Sequence, residues 1–261
     1  ERYGRVVDVV RTQGYPVIEE VYSTYEGANL VVSAQETGAL CTSLASTFAR
    51  IRPAALVVCA DRHEVLGAAQ AAAYQHLPLV HLQGGERTGS IDDKVRDAIT
   101  HLADWHCVST KLAALRVYNL TGSLNTIRIT GCPSIDLAKA ALSSPPVSWS
   151  ELGGVGQRRF DLLRPFVLIL QHPVTSEMDS AYADMLATLE ACGQINLPRI
   201  CLWPGEDAGH DATSKAIRVW REQHSHLTFH TVRNLPPARF LRLMSQAAVL
   251  VGNSSAGIRE G

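Results

Sequence analysis

LPLVHLQGGERTGSIDDKVRDAITHLADWHCVST, residues 77–110, decides the reading of the fold. An apolar, β-rich run over 77–83 stops at Gly84 and Gly85. A polar loop follows, a helical pattern runs over 90–103, and a second apolar run begins at Trp105. Strand, turn, helix and strand in that order make a βαβ unit. The apolar runs are continuous rather than alternating, as parallel strands buried on both faces require. The loop is also chemically dense. Glu86, Arg87, Asp92, Asp93 and Arg96 crowd a glycine turn at the mouth of a helix.

The same alternation extends in both directions. Strand-like runs lie at 54–60, 105–110, 126–130, 165–171, 199–203, 227–231 and 247–253. Helical stretches lie between them, at 37–51, 63–75, 177–192 and 238–247 among others. One stretch, 141–165, is rich in Ser, Pro and Gly and interrupts the pattern. The expected architecture is α/β, with two Rossmann-like domains whose parallel sheets face a cleft. Residues 1–142 form the first domain, 143–164 the linker and 165–261 the second domain. The chain opens in mid-pattern and stops as a helix starts, so both ends read as cut short.

Composition narrows the function. The 261 residues are 46% hydrophobic and carry a net charge of −1, so no general field attracts nucleic acid or an anionic membrane. Neither partner is expected. No apolar run has the length of a membrane span, about 18 residues or more. The six cysteines are scattered and form no C-x-x-C. They read as reduced core residues of a cytoplasmic protein. No histidines or cysteines have zinc-ligand spacing, so no metal or cofactor is expected.

In open α/β sheets, ligands sit beyond the carboxyl ends of the strands. Asp61 and Arg62 follow one strand, Gln83 and the Glu86 loop a second, and His172 a third. Ser254, Ser255 and Glu260 follow the last. Serines at a helix N-terminus supply hydroxyls and backbone N–H groups to an anion, although taken alone they are better read as a plain capped helix. Ser90 and Asp93 have capping-box spacing, and Asp92 and Arg96 are placed to pair on one helix face. Carboxylates brought together in one cleft would push one another's pKa upward. His172 precedes Pro173 and is therefore held extended.

These pieces, ADR, HLQGGERTGSIDDKVRDAITHLAD, GCPSID, QHPVTSE, WPGEDAG and VGNSSAGIREG, occur in that order. Together they resemble the UDP-N-acetylglucosamine 2-epimerase family, in the hydrolysing branch used in sialic-acid and related nonulosonic-acid biosynthesis. The resemblance implies a GT-B-like architecture and a homodimeric enzyme acting on a UDP-sugar. It would convert UDP-GlcNAc, or a 2,4-diacetamido-6-deoxy relative, to UDP and the free 2-epimer through a glycal. It implies catalytic roles for Asp61, Asp92 and His172, with Glu86 as a further participant. Arg62, Gln83, Arg96, Ser254, Ser255 and Glu260 would bind substrate, and Leu235 would hold the uracil through its backbone. By the same comparison the family's first strands and closing segment are missing. Gln83 stands where many members have Glu, Gly205 where Asn is common, and Asp97 where His often follows the arginine. Competing readings are a non-hydrolysing epimerase, a GT-B glycosyltransferase and a non-catalytic UDP-sugar-binding relative.

Overall fold

The computed structural model describes residues 6–25, 29–156, 158–174, 177–205 and 209–261. The chain divides between Cys132 and Pro133 into two compact units. The first is Gly14–Cys132. The second is Pro133–Gly261 joined by the short helix α1 (Val6–Thr12).

The first unit begins with α2 (Leu30–Ile51), capped by the Asn29 side chain, which accepts from the Val32 N–H. There follow β1 (Leu56–Cys59), α3 (His63–Tyr74), β2 (Leu79–Leu82) and α4 (Ile91–Leu102). The unit ends with β3 (Trp105–Val108), α5 (Lys111–Thr121) and β4 (Ile127–Ile129). All four strands are parallel, in the order β1-β2-β3-β4. Each connection steps one place in the same direction. Right-handed crossovers therefore lay α3, α4 and α5 on one face of the sheet. The row Val58, His81, His106 and Ile127 points to that face and is buried. Helix α2 packs along α3. The approach is close because α3 is made of small residues: a Cβ on Gly67 would lie 2.7 Å from the Thr37 carbonyl oxygen.

The second unit contains α6 (Pro133–Leu142), α7 (Trp149–Leu152), β5 (Val155–Gly156) and β6 (Val167–Ile169). A 3-10 turn at Met178–Ser180 leads into α8 (Ala181–Gly193), followed by β7 (Arg199–Leu202), α9 (His210–Gln223) and β8 (Phe229–Val232). Last come α10 (Pro237–Gln246), β9 (Val249–Val251) and α11 (Ala256–Arg259). The sheet order is β5-β8-β7-β6-β9. The chain steps outward from β6 to β8, then returns to place β9 on the other side of β6, which puts helices on both faces. One apolar cluster, with Met185, Leu189, Ile217 and Trp220, fills the α8–α9 side. Another, with Leu168, Ile200, Leu202 and Leu243, fills the α10 side. Each fully buried side chain of this size contributes roughly 1.5–3 kcal/mol.

All eight sequence-predicted strands form. Burial on both faces holds for β6, β7 and β8 but fails in the first sheet. There β1 and β3 alternate, leaving Val57 60% and Trp105 46% exposed. The stretch read as a linker is folded onto the second unit. Val147, Leu152 and Leu162 enter its core, and β5 adds an antiparallel edge to β8. Its prolines and glycines break regular structure, but the apolar residues between them still find burial. Helix α6, expected in the first domain, packs on α10. Of the cysteines only Cys192 and Cys201 are buried, and Cys59 is exposed, so the core reading holds for two of them.

Candidate active site

In the first unit the residues just after β1 and β2 depart from ordinary backbone. Ala60 and Gln83 both take φ of 64°, a left-handed conformation that L residues adopt at a cost of about 1 kcal/mol or more. Hydrogen bonds hold them there. The Ala60 N–H donates to the Leu82 carbonyl at 3.0 Å, and the Gln83 N–H to that of Cys107 at 2.9 Å. His81 lies beneath, with Nε2 2.9 Å from the Ala60 carbonyl oxygen and Nδ1 3.2 Å from the Thr100 hydroxyl. The carbonyl can only accept, so Nε2 carries the proton. Burial pushes the His81 pKa down. The Ala60 carbonyl opposes that shift and the Arg96 charge adds to it.

Arg96, on α4, organises the loop. Its guanidinium is buried and pairs with Asp61, with Asp93 at 2.7 Å and with the Glu86 carbonyl at 2.7 Å. Burial would lower the Arg96 pKa, but Asp61 and Asp93 outweigh it and raise it. Burial would likewise raise Asp93. The N–H groups of Thr88 and Gly89, together with Arg96, prevail and hold it at about 2. The expected Asp92–Arg96 pair is therefore replaced by Asp93–Arg96. Asp93 turns toward the loop, where the two N–H groups converge, whereas Asp92 accepts from the Ser90 hydroxyl at 2.8 Å. Ser90 caps α4 through the Asp92 N–H, so the capping box does not close on Asp93. Asp97 pairs with Arg87 at 3.0 Å, so its charge is taken up there and not by Arg96.

The other predicted residues of this unit lie around the same strand ends. A Glu86 carboxylate oxygen accepts from the Ser109 hydroxyl at 2.8 Å. Arg62 makes a two-pronged contact with Glu64, 3.1 Å at each bond. The Gln83 side chain bridges two thiols, with Oε1 3.7 Å from the Cys59 sulfur and Nε2 3.4 Å from that of Cys132.

In the second unit the strand order reverses at β6, and ligands of such sheets bind at that switch point. His172 and Asn253 follow β6 and β9 and hold each other. The His172 N–H donates to Asn253 Oδ1 at 2.8 Å, and Asn253 Nδ2 donates to the His172 carbonyl at 2.8 Å. They border a cavity of about 370 Å3, also lined by Gln171, Asp184, Thr188 and Gly252. Ser254 spends its hydroxyl locally, accepting from the Ala256 N–H at 3.3 Å. Ser255 is the exposed N-cap of α11, and Glu260 is its C-cap. Leu235 is buried. Gly205 is exposed. Thr175, Ser176, Glu206 and Asp207 of the quoted motifs lie outside the described residues.

Sequence reasoning missed Asp93 as the partner of Arg96, Ser109 as the partner of Glu86, and Asn253. Ser109 and Asn253 end strand-like runs, so the strand-end rule that found Asp61 would have found them too. Among the described residues, no three His, Cys, Asp or Glu side chains group to hold a metal, and no helix is long and apolar enough to cross a membrane.

Parallel sheets with polar clusters at their carboxyl ends define an α/β protein of GT-B type. Solved structures agree on the fold. The Neisseria meningitidis UDP-GlcNAc 2-epimerase bound to UDP-GlcNAc matches with a TM-score of 0.74 at 15% identity, covering 95% of this chain and 67% of that one. The Methanocaldococcus jannaschii enzyme in complex with UDP-GlcNAc and UDP also gives 0.74, at 14% identity over 96% of this chain and 68% of that one. The chain belongs to the UDP-N-acetylglucosamine 2-epimerase family, whose sequence model matches residues 7–261. A Legionella pneumophila relative, UDP-N,N'-diacetylbacillosamine 2-epimerase (hydrolyzing), is 28% identical over 258 residues, 99% of this chain and 66% of that protein. A Neisseria meningitidis serogroup B UDP-N-acetylglucosamine 2-epimerase is 29% identical over 213 residues, 80% of this chain and 53% of that protein. The chain thus spans between 53% and 66% of the length of these two relatives.

Proposed function

We propose that the protein is a hydrolysing UDP-sugar 2-epimerase. It releases UDP from UDP-GlcNAc, or from a 2,4-diacetamido-6-deoxy analogue, and yields the free 2-epimer. The observation that carries the reading is the Arg96 cluster. One buried guanidinium fixes Asp61 and Asp93, with Glu86 on the adjoining loop and Asp92 in the first turn of α4. Two relatives whose names specify hydrolysing 2-epimerases, at 28% and 25% identity, support the hydrolysing branch.

The chemistry needs such a loop. The proton on C2 of the sugar has no neighbouring carbonyl and is a poor acid. It leaves only as the C1–O bond to the diphosphate breaks and positive charge develops at C1. The electron pair of that C1–O bond departs with UDP. The C2–H pair becomes the C1=C2 bond of a glycal, and the proton goes to a carboxylate. Water then returns oxygen to C1 and a proton to the opposite face of C2.

Asp61 and Asp93 outnumber Arg96, so their cluster keeps net negative charge and stabilises the cationic C1. Asp92, oriented by the Ser90 hydroxyl, takes the proton, and Glu86 assists in its return. His172, Ser254 and Ser255 meet the diphosphate, Glu260 the ribose and the Leu235 backbone the uracil. The enzyme works as a cytoplasmic homodimer without a metal or cofactor.

Incubating the full-length protein with UDP-GlcNAc in deuterated water tests the reading. Free ManNAc carrying deuterium at C2 is expected. UDP-ManNAc would instead mean a non-hydrolysing epimerase, and turnover only with an acceptor a glycosyltransferase. One observation favours a second reading, a UDP-sugar binder without turnover: residue 83 is a neutral amide held between two thiols and has no basic oxygen to offer. Unchanged UDP-GlcNAc with measurable affinity would establish it.

A further inference from the structure

We infer that Asn253 is a positioning residue that acts through His172, an inference that rests on the UDP-binding reading above. Strands β6 and β9 pair in parallel from Val167–Val249 to Ile169–Val251, and the ladder continues to the bond from the Leu170 N–H to the Val251 carbonyl at 2.9 Å. There it stops. Gly252 turns with φ of 144°, and a Cβ at that position would lie 1.9 Å from the Leu170 carbonyl oxygen. The two backbones touch, and only glycine fits between them.

His172 lies three residues beyond the end of β6, ahead of a proline that keeps it extended and cannot donate to a sheet. The ladder has no further backbone to offer it. The Asn253 carboxamide takes over by accepting from the His172 N–H and donating to its carbonyl, both at 2.8 Å. Among side chains this short, only asparagine carries a donor and an acceptor side by side. The backbone that bears the imidazole is thus fixed on both sides, at the rim of the cavity that also holds Asp184 and Thr188. An imidazole aimed at an anion needs such an anchor, because a wandering one loses conformational entropy on binding.

A double-mutant cycle tests this in the full-length protein, with UDP as the probe and calorimetry as the readout. Asn253→Ala is expected to weaken UDP binding at least about tenfold with His172 present and less than about twofold in the His172→Ala background. Equal losses in both backgrounds would mean that Asn253 does not act through His172, and no loss in the first would mean that it does nothing. Asn253→Asp keeps the acceptor and removes the donor, so it covers the case of an alanine variant that fails to fold. The His172 ring nitrogen resonances of the unliganded protein are expected to move in both variants, and unmoved resonances overturn the inference. Should the unaltered protein show no affinity for UDP, the functional reading fails, and the ring resonances still decide whether Asn253 holds His172.

Discussion

The two sheets solve the problem of burial differently. In the second, β6, β7 and β8 are buried along their whole length, between clusters of eleven and ten buried residues. In the first, β1 shows Val57 and Cys59 to solvent, and the buried apolar residues fall into clusters of four, four and three. Over the residues described, the chain that reverses direction at β6 covers both faces of its sheet, and the chain that steps steadily from β1 to β4 covers one face of its own. The first unit fills its smaller interior partly with polar groups. Arg96, His81, His106 and Thr100 are all at most 1% exposed. Polar contacts centred on the Arg96 ion pairs supplement the apolar packing of this unit, and the candidate chemistry lies in the same place.

The strongest way to break the comparison is Arg96→Ala. Removing one partner of a buried ion pair strands the other charges, at a cost of about 3–5 kcal/mol. Native-state hydrogen exchange should show lost protection within Gly14–Cys132 and little change in β6–β8. An even loss across both units would mean that charge does not distinguish them.

Acid should act on the same unit. Burial, followed by the His81 charge, presses the His106 pKa down to about 4, and Asp104 opposes the shift only partly. The folded value lies below the unfolded one, so the unfolded chain binds the extra proton first. The stabilising contribution is complete above about pH 6.5 and disappears progressively as pH falls toward about 4, a change of up to about 3 kcal/mol. His106→Leu should flatten that portion of a denaturation-versus-pH curve. An unchanged curve would remove His106 as its source.

Function provides a third comparison. Asp92→Asn is expected to lower turnover at least about 100-fold with little change in UDP affinity, since proton transfer is assigned to the first unit and nucleotide binding to the second. Steady-state kinetics and calorimetry check the two halves, and Glu86→Gln should give a smaller loss. The mildest change is Val57→Thr on the open face of the first sheet, expected within about 0.5 kcal/mol of the original stability. Ile200→Val, inside the second sheet, should cost about 1 kcal/mol. Chemical denaturation of the two variants sharpens the contrast, and equal costs would remove it.

Much of this organisation was legible in the residues. Runs such as PFVLILQ and RICLW admit little besides buried parallel strands, and the polar residues behind them marked the strand ends. β5 escaped because two residues, one a glycine, carry no period. The packing of 143–164 escaped because Pro and Gly announce turns whether or not the apolar residues between them are buried. Asp93 was misjudged because helix spacing allows both i+3 and i+4 partners for Arg96, and the orientation of the loop amides chose between them. The Asn253–His172 clasp joins residues 81 apart in the chain, beyond any local pattern.

Ala60 and Gln83, with their left-handed backbones side by side, also set what the protein tolerates at those positions. A saturation library at residue 60 should keep glycine and asparagine and reject valine, isoleucine and threonine, because branching at Cβ is hardest to accommodate at positive φ. Drift at these two sites is thereby narrowed by backbone geometry alone, before any demand of chemistry is imposed.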